Sequence, residues 1–292
     1  MTKYNTYTLD NGLRVIHLPS TSQVVWCGYD LAVGSRNELP GEEGLAHFCE
    51  HMTFKGTEHR SALQVINALE SVGGELNAFT NKEDTVFYAA VTKEHFTKAI
   101  NLLTDIVFHS QYPQQEIDKE VEVICDEIES YNDTPAELIY DEFENLLFEG
   151  HPLGHNILGK AELLRTFTTA DALRFTRRYY RPDNAVFFVY GDVDFKKLIA
   201  SPTFLDKLSD KAEQDTDHPV LTGTDDCSMK TPSPPLGGET IREICSHQAH
   251  VMIGTKAYRY DDPKRMTLYL LNNIIGGPGM NARLNLSLRE RQ

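Results

Sequence analysis

Cysteine is scarce in this sequence and forms no closely spaced pattern. The 292 residues include five cysteines, an odd number, and no two of them form a Cys-x-x-Cys pair. Small secreted domains that depend on disulfides carry an even set of cysteines at short spacings. The sequence therefore excludes a disulfide framework and predicts reduced thiols, as expected in the cytoplasm.

Basic residues and long apolar segments are also in short supply. The 28 lysine and arginine residues are outnumbered by 43 aspartate and glutamate residues, which gives a formal net charge of -15. Because phosphate groups bind to basic surfaces, this balance argues against nucleic acid or an anionic membrane as the main partner. No run of 18 apolar residues occurs, and no charged leader precedes an apolar stretch. We therefore expect no membrane span, no export signal and a cytoplasmic location.

Strand-like and helix-like patterns are interleaved along most of the chain. An Asn-Gly turn at positions 11 and 12 separates two strand-like segments. Alternating and β-branched residues predict further strands over residues 24–33, 76–79 and 85–91. Apolar residues at helical spacing predict helices over residues 43–54, 61–72, 94–108 and 114–131.

A change of composition predicts a domain boundary. Residues 209–240 are rich in Asp, Ser, Thr, Pro and Gly and have no sustained apolar period, which is typical of a linker. We therefore predict a first domain over residues 1–208 and the beginning of a second over residues 241–292. Within the latter, a strand is expected over residues 250–254 and a helix over residues 264–275.

The main chemical signal is the segment His47-Phe48-Cys49-Glu50-His51. Two imidazoles four residues apart lie on one face of a helix, so both can reach a single ion, and zinc suits such ligands. Glu50 stands between them, where its carboxylate can approach a metal-bound water without being a ligand. This is the H-x-x-E-H pattern of the inverted zincins, in which Glu50 would be the general base.

A third protein ligand is expected on the helix predicted over residues 114–131. Glu120 and Glu127 are one heptad apart and fall along its apolar edge, where an unpaired carboxylate would be costly. Zinc would balance the charge of one of these carboxylates, and the other would hold a histidine or the ligand carboxylate in place. Periodicity alone does not choose between the two.

These motifs resemble the pitrilysin and insulinase family of zinc metallopeptidases. In that family the distal glutamate ligand stands about 76 residues after the second histidine, a step that leads from His51 to Glu127 and leaves Glu120 as support. The resemblance extends to the Gly73-Gly74-Glu75-Leu76-Asn77-Ala78-Phe79-Thr80 segment and the loop from His151 to Gly159, and it covers residues 5–200. In the family, the Asn-Ala strand is an edge to which an extended peptide adds, which makes Asn77 and Ala78 the expected substrate-binding residues.

The resemblance implies a fold and an activity. It implies an α+β fold with a mixed, largely antiparallel sheet packed with helices on one side, a half-barrel of the processing-peptidase type, followed by an incomplete second repeat. It also implies a zinc endopeptidase that hydrolyses peptides or unfolded polypeptides with a zinc-activated water, using Glu50 as general base and Glu120 to hold a histidine or the ligand carboxylate in place. A second homologous half, truncated here or supplied by another chain, would complete the site, so weak or no turnover is expected of this chain alone.

Two other interpretations remain open at this stage. The chain could be a non-catalytic assembly or partner subunit of the same fold, although such proteins typically lack part of the metal set. It could also be a binding module with a structural zinc, for which Cys49 or Cys125 would be the fourth ligand. Neither thiol is well aimed on its helix, and a nucleophilic role for Cys49 is disfavoured for the same reason. His151 and His155 are separated by Pro152 and Gly154, which predicts a loop rather than a metal-binding helix.

Overall fold

The computed structural model describes residues 4–205, 238, 240–243 and 248–289 of the chain. They belong to two compact units, the first holding residues 4–205 and 248–250 and the second holding the others. Of the predicted linker, only positions 238 and 240 are among the described residues. The division into domains over residues 1–208 and 241–292 therefore stays a prediction.

The first unit is built on a six-stranded sheet. Its strands are β1 (Asn5–Thr8), β2 (Arg14–Pro19), β3 (Val24–Leu31), β4 (Glu75–Thr80), β5 (Thr85–Thr92) and β6 (Ala185–Gly191). Their order across the sheet is β1-β2-β6-β3-β5-β4, which leaves β4 at one edge. Only the pairing of β2 with β6 is parallel among these ladders. The expected α+β class and mixed, largely antiparallel sheet are confirmed.

One face of the sheet is buried beneath helices, and the pleat of β3 shows this directly. Val25, Cys27 and Tyr29 are fully buried, whereas the alternate residues Val24 and Trp26 are 41% and 42% exposed. Successive side chains of a strand point to opposite faces of the sheet. The buried set therefore packs against the helices, and the exposed set points away from them. The Tyr29 hydroxyl also hydrogen-bonds to the Thr104 hydroxyl at 2.8 Å, joining β3 to the helix packed across it.

The first four helices of the first unit begin and end close to their predicted positions, and five further helices in its described part were not predicted. In the first unit they are α1 (Leu45–Thr53), α2 (Ala62–Glu70), α3 (Phe96–Phe108), α4 (Gln114–Asn132), α5 (Pro135–Leu147), α6 (Ala161–Leu164), α7 (Thr169–Tyr179), α8 (Phe195–Ile199) and α9 (Pro202–Leu205). Local chemistry explains such boundaries. At the start of α2, Ser61 and Gln64 form a reciprocal capping box, which satisfies backbone donors that the helix cannot pair internally.

The second unit contains two helices in its described part, α10 (Arg265–Gly276) and α11 (Arg283–Leu288). The predicted helix over residues 264–275 is therefore confirmed. The strand predicted over residues 250–254 is wrong, because those residues form no ladder with any other described segment. An apolar alternating segment becomes a strand only where a neighbouring strand supplies hydrogen bonds.

Among the described helices, none has both the length and the apolar character that crossing a lipid bilayer requires.

Candidate metal centre

Helix α1 carries three of the predicted site residues on one side. His47 and His51 are one turn apart, and their ring centroids are 4.6 Å from each other. His47 and Glu50 are buried and His51 is half-buried. Because α1 has only nine residues, its N-terminal half has to be fixed by surrounding groups if the two imidazoles are to hold a common direction.

A buried carboxylate provides that support. Glu38 accepts hydrogen bonds from the backbone N–H groups of Gly44 at 3.0 Å and Ala46 at 2.8 Å, at the first turn of α1. His155 Nε2 donates to the same carboxylate at 2.9 Å. Burial raises the pKa of Glu38, and these hydrogen bonds offset only part of that rise. Glu38 therefore caps α1 from outside the helix, where Gly44 offers no side chain of its own.

Two glycines allow the backbone to cross at this point. Gly44 has a φ of 99° and Gly159 has a φ of 72°, both in the left-handed region that favours glycine. A Cβ atom on Gly44 would lie 2.9 Å from the Cα of Gly159, and one on Gly159 would collide with the carbonyl oxygen of Glu43. The loop that ends at Gly159 is thereby packed directly against the start of the metal-binding helix.

Helix α4 packs against α1 and brings Glu127 to the two histidines. Its Oε1 is 3.9 Å from His47 Nε2, and its Oε2 is 3.4 Å from His51 Nε2. One donor atom from each of His47, His51 and Glu127 lies within 4.8 Å of the other two. The structure therefore brings together the three residues predicted as metal ligands, with their donors facing a common point.

Glu120 lies one heptad earlier on α4 and contacts His51 from the other side. Its Oε1 accepts a hydrogen bond from His51 Nδ1 at 3.0 Å, and its Oε2 pairs with Lys55 Nζ at 2.5 Å. Since a carboxylate accepts, Nδ1 of His51 is the donor in this bond, and Nε2 is the ring nitrogen that lies toward Glu127. Burial raises the pKa of Glu120, but the contacts with His51 and Lys55 outweigh it and lower the pKa overall.

The acidic surroundings of the two imidazoles fit a divalent cation such as zinc. Burial, together with the adjacent His51, lowers the pKa of His47 to about 3, so its ring is neutral and able to coordinate. Burial would also lower the pKa of His51, yet hydrogen bonding to Glu120 and the charges of Glu50 and Glu127 raise it overall. Two imidazoles and a carboxylate in an acidic surrounding are a ligand set that zinc prefers.

Glu50 faces β4 of the sheet. The Thr80 hydroxyl donates a hydrogen bond of 2.6 Å to Glu50 Oε2, which fixes the orientation of the carboxylate. Burial is the main influence on Glu50 and raises its pKa, and the nearby Glu127 acts in the same direction against the Thr80 hydrogen bond and His51. The remaining oxygen, Oε1, is available to a reacting group.

These side chains line a cleft of about 610 Å³, whose wall includes the edge strand β4. Both predicted substrate-binding residues, Asn77 and Ala78, line it. The Ala78 N–H donates to the side-chain oxygen Oδ1 of the preceding residue, Asn77, at 2.8 Å. The acceptor is therefore this side chain and not a backbone carbonyl of β5. The other lining residues are His47, Glu50, His51, Phe54, Lys55, Phe79, Thr80, Glu120, Glu127, Tyr131, Asp141, Ile157 and Leu158.

The two cysteines considered as alternative ligands lie elsewhere. Cys49 is fully buried, and its Sγ contacts the carbonyl oxygen of Ala172 on α7 at 4.0 Å. Burial raises the pKa of the Cys49 thiol well above its ordinary value, which removes the thiolate that a nucleophile or ligand needs. Cys125 is also a buried free thiol, and neither cysteine lines the cleft.

Four residues near the centre were not anticipated from the sequence: Lys55, Thr80, Glu38 and His155. Lys55 follows His51 by four residues, so helical spacing could have indicated that it reaches the same partner. Thr80 shares a strand face with Ala78, which period-two alternation could have indicated. Glu38 lies in the loop just before α1, whereas His155 is brought there from a loop far along the chain, and no local pattern encodes its contact. His151 and His155 do lie in a loop, as predicted.

Family sequence models and relatives show which family the chain belongs to. The model described as "Insulinase (Peptidase family M16)" matches residues 14–161, and the "Peptidase M16 inactive domain" model matches residues 166–292. An "uncharacterized zinc protease" of Rickettsia bellii is 34% identical over 290 residues, covering 99% of this chain and 67% of the relative. The "uncharacterized zinc protease YmxG" of Bacillus subtilis is 33% identical over 289 residues, covering 97% and 66%. The chain thus spans about two thirds of the length of the curated relatives it matches.

Solved structures extend the comparison to the fold. A protease from Helicobacter pylori matches 76% of this chain and 54% of its own, with 27% identity and a TM-score of 0.69. A "peptidase M16 inactive domain" from Pseudomonas fluorescens covers 99% of this chain and 68% of its own, with a TM-score of 0.77, and its 19% identity shows the fold alone. The insulinase model covers half of the sequence and every predicted site residue, and the chain therefore belongs to the insulinase family, peptidase family M16.

Proposed function

We propose that this chain provides the zinc-binding, catalytic part of an endopeptidase. One observation carries the proposal: the donor atoms of His47, His51 and Glu127 converge while Glu50 stands beside them as a carboxylate engaged on only one oxygen. The coordinating set and the base come from two helices and face the same cleft.

The protein groups divide the work of peptide hydrolysis between them. Bound zinc supplies a Lewis acid that makes water more acidic and stabilises negative charge on oxygen. Glu50 accepts a proton from the attacking water through Oε1 and returns it to the leaving amine. Thr80 orients Glu50 by holding Oε2, while Glu120 holds Nδ1 of His51, so that Nε2 would be the ring nitrogen that binds the ion.

The edge strand β4 suggests how substrate is held. An extended peptide can pair with the free side of an edge strand through main-chain hydrogen bonds, which requires little of its sequence. Asn77 and Ala78 would make this contact, and the peptide carbonyl would replace Asn77 Oδ1 as acceptor for the Ala78 N–H. Such binding selects peptides and unfolded polypeptides, because strands in folded proteins are already paired.

The proposal includes a second homologous half and a cytoplasmic location. Relatives are longer than this chain, so we assign full activity to a protein in which a second half positions the peptide over the cleft. The buried free thiols Cys27, Cys49 and Cys125 favour a reducing compartment. Fractionation of cells followed by immunodetection would test the location.

The role of Glu50 can be tested by cleavage of a quenched peptide library in the full-length form of the protein. Glu50→Gln should reduce kcat by about a hundred-fold or more, because it removes the proton acceptor while preserving shape. Zinc content measured by mass spectrometry should not change. Undiminished cleavage by this variant would exclude Glu50 as the base.

The metal ligands can be tested separately by zinc content after dialysis against metal-free buffer. His51→Ala and Glu127→Gln should each lose most of the zinc that the unmodified chain retains. Glu129→Gln is the matched control, since Glu129 is an exposed carboxylate on the same helix. Equal zinc in Glu127→Gln and Glu129→Gln would contradict the assignment of the third ligand.

A non-catalytic partner subunit of the same fold is the second candidate. It is favoured by the match of residues 166–292 to the inactive-domain model. All the predicted ligands and the base lie outside that segment, within residues 14–161. Zinc retention without any cleavage by the full-length protein, in both the unmodified and Glu50→Gln forms, would support this candidate instead.

A further inference from the structure

A second group of potential metal ligands lies outside the cleft, between the loop after α1 and the end of α3. It consists of His59, Asp105 and His109, of which none lines the cleft. Asp105 Oδ1 is 2.7 Å from His59 Nδ1 and 3.8 Å from His109 Nδ1. One donor atom from each residue lies within 4.8 Å of the other two, as in the first centre.

The backbone fixes the two segments against each other. The N–H of Glu58 donates to the carbonyl oxygen of His109 at 3.0 Å, and Thr57 forms a β-bridge with Ser110. The N–H of Gln111 donates to the Gly56 carbonyl oxygen at 3.2 Å. His59 and His109 are therefore presented to each other by a formed scaffold, with ring centroids 5.4 Å apart.

The two oxygens of Asp105 have different surroundings. Oδ2 accepts from the Thr57 hydroxyl at 2.7 Å and pairs with Arg60 Nη1. Oδ1 faces the two histidines, so the guanidinium and the imidazoles do not compete for the same oxygen. The Asp105 side chain is only 6% exposed, whereas that of His59 is 61% exposed and has room to rotate.

The charge state of Asp105 suits coordination. Burial raises the pKa of this carboxyl, but hydrogen bonds from Thr57, His59 and Arg60 outweigh burial and lower the pKa overall. The group is therefore ionised at neutral pH. Two imidazoles and one carboxylate oxygen form an N,N,O set that binds zinc and related divalent transition metals.

The distances require only a small adjustment. Ligands bound to one tetrahedral zinc at about 2.0 Å are separated from each other by roughly 3.3 Å. The His59–Asp105 contact is shorter than this and the His109–Asp105 contact is longer, so rotation of the exposed His59 ring would open the first as the ion enters. In the first centre, the corresponding separations from Glu127 are 3.4 and 3.9 Å.

We propose that His59, Asp105 and His109 form a second binding site for Zn²⁺ or a similar divalent transition metal, separate from the candidate catalytic centre. The ion would fasten the loop that follows the metal-binding helix α1 to the C-terminal end of α3. Arg60 places a positive charge on the far oxygen of Asp105, so this site binds zinc more weakly than the first. This second site is inferred from the contacts of its own three residues, so it does not depend on whether the chain is a peptidase.

Zinc chloride titration of the metal-free chain, followed by calorimetry and by mass spectrometry after equilibrium dialysis, tests this site. The unmodified chain should bind about two zinc ions with distinct affinities. His59→Ala/His109→Ala should bind about one, with the tighter event unchanged. Glu127→Gln should lose the tighter event and keep the weaker, so the two centres are tested independently.

His95→Ala is the control, because His95 is a partly exposed histidine beyond the cluster, at the start of α3. It should bind zinc as the unmodified chain does. Circular dichroism checks that each variant is folded, and His59→Ala alone serves if the double variant is not, since His59 is largely exposed. A weaker event that persists in folded His59→Ala at its original affinity, or a single event in the unmodified chain, overturns the proposal.

Discussion

A single threonine connects the sheet to the proposed base. Thr80 ends β4, and its hydroxyl holds Glu50 Oε2 at 2.6 Å while Oε1 stays available. A carboxylate without this bond would rotate among several orientations, of which only some present an oxygen to the reacting water. Small errors in the placement of a catalytic group are costly in rate.

We predict that Thr80→Val lowers kcat of the full-length protein by about ten-fold to a hundred-fold, because it removes the hydrogen bond while keeping a similar volume. Thr80→Ser, which retains the hydroxyl, should keep most of the activity. Cleavage of a quenched peptide, with zinc content measured in parallel, provides the readout. Wild-type kcat in Thr80→Val would show that Glu50 is positioned by other groups.

Residue spacing predicted the metal ligands better than the residues that hold the site in position. The four-residue separation of His47 and His51 follows from helix geometry, so their convergence could be expected. Glu120 and Glu127 are equivalent by periodicity, and the structure separates them: one contacts Nδ1 of His51 and the other faces Nε2. Alternation could have placed Thr80 on the strand face of Ala78, but its hydrogen bond to Glu50 could not be predicted, because Glu50 lies on another element.

At the scale of elements, helix α1 depends on a carboxylate that is not part of it. Glu38 accepts the N–H groups of Gly44 and Ala46 and also the ring of His155. Removing this acceptor would leave the buried N–H groups of Gly44 and Ala46 without a partner, and the half-buried ring of His155 would lose its contact with Glu38. Buried unsatisfied donors cost more than the net value of the hydrogen bonds that they lose.

We predict that Glu38→Ala lowers the free energy of unfolding by about 2–4 kcal/mol and weakens zinc binding, since both histidine ligands lie on α1. Urea denaturation followed by circular dichroism measures the first effect. Glu43→Ala is the control, because within the described part of the chain the Glu43 carboxylate accepts a single, exposed hydrogen bond, from the backbone N–H of Gly41. Equal loss in the two variants would mean that Glu38 has no special role at the helix terminus.

Elements with a local signal were predictable, and elements defined by distant partners were not. The capping box at Ser61 and the apolar period of α4 lie within single segments, and both helices were expected near their observed bounds. The parallel pairing of β2 with β6 joins residues such as Arg14 and Val186, and nothing near either residue indicates it. The predicted strand over residues 250–254 failed for the same reason, since its pattern says nothing about a partner.

At the scale of the whole molecule, the candidate metal centre joins parts of the chain that are far apart in sequence. His47 and His51 come from α1, and Glu127 comes from α4, beyond two strands and two helices. Without a cation, four carboxylates and two imidazoles line one cleft. Binding of an ion there should therefore stabilise the packing of α1 against α4 as well as the ligands themselves.

We predict that zinc at about a thousand times its dissociation constant raises the free energy of unfolding by about 4 kcal/mol relative to the metal-free chain. Thermal unfolding monitored by circular dichroism, with and without added zinc, measures the shift. Glu127→Gln should lose most of it, and Glu129→Gln should keep it. The stabilisation by zinc should persist in His59→Ala/His109→Ala, which leaves this centre intact. If this variant lost as much of the stabilisation as Glu127→Gln does, the stabilising ion would lie at the His59, Asp105 and His109 cluster instead.

The crossing of Gly44 and Gly159 has a consequence for how this chain can change over evolutionary time. Each position needs a left-handed backbone, and each lacks room for even one methyl group because the other segment occupies it. No residue is smaller than glycine, so a larger residue at one of the two positions cannot be accommodated by a smaller residue at the other. Sequence drift is therefore blocked at both positions, and directed evolution of the cleft would have to leave this pair untouched while varying the wall beyond it.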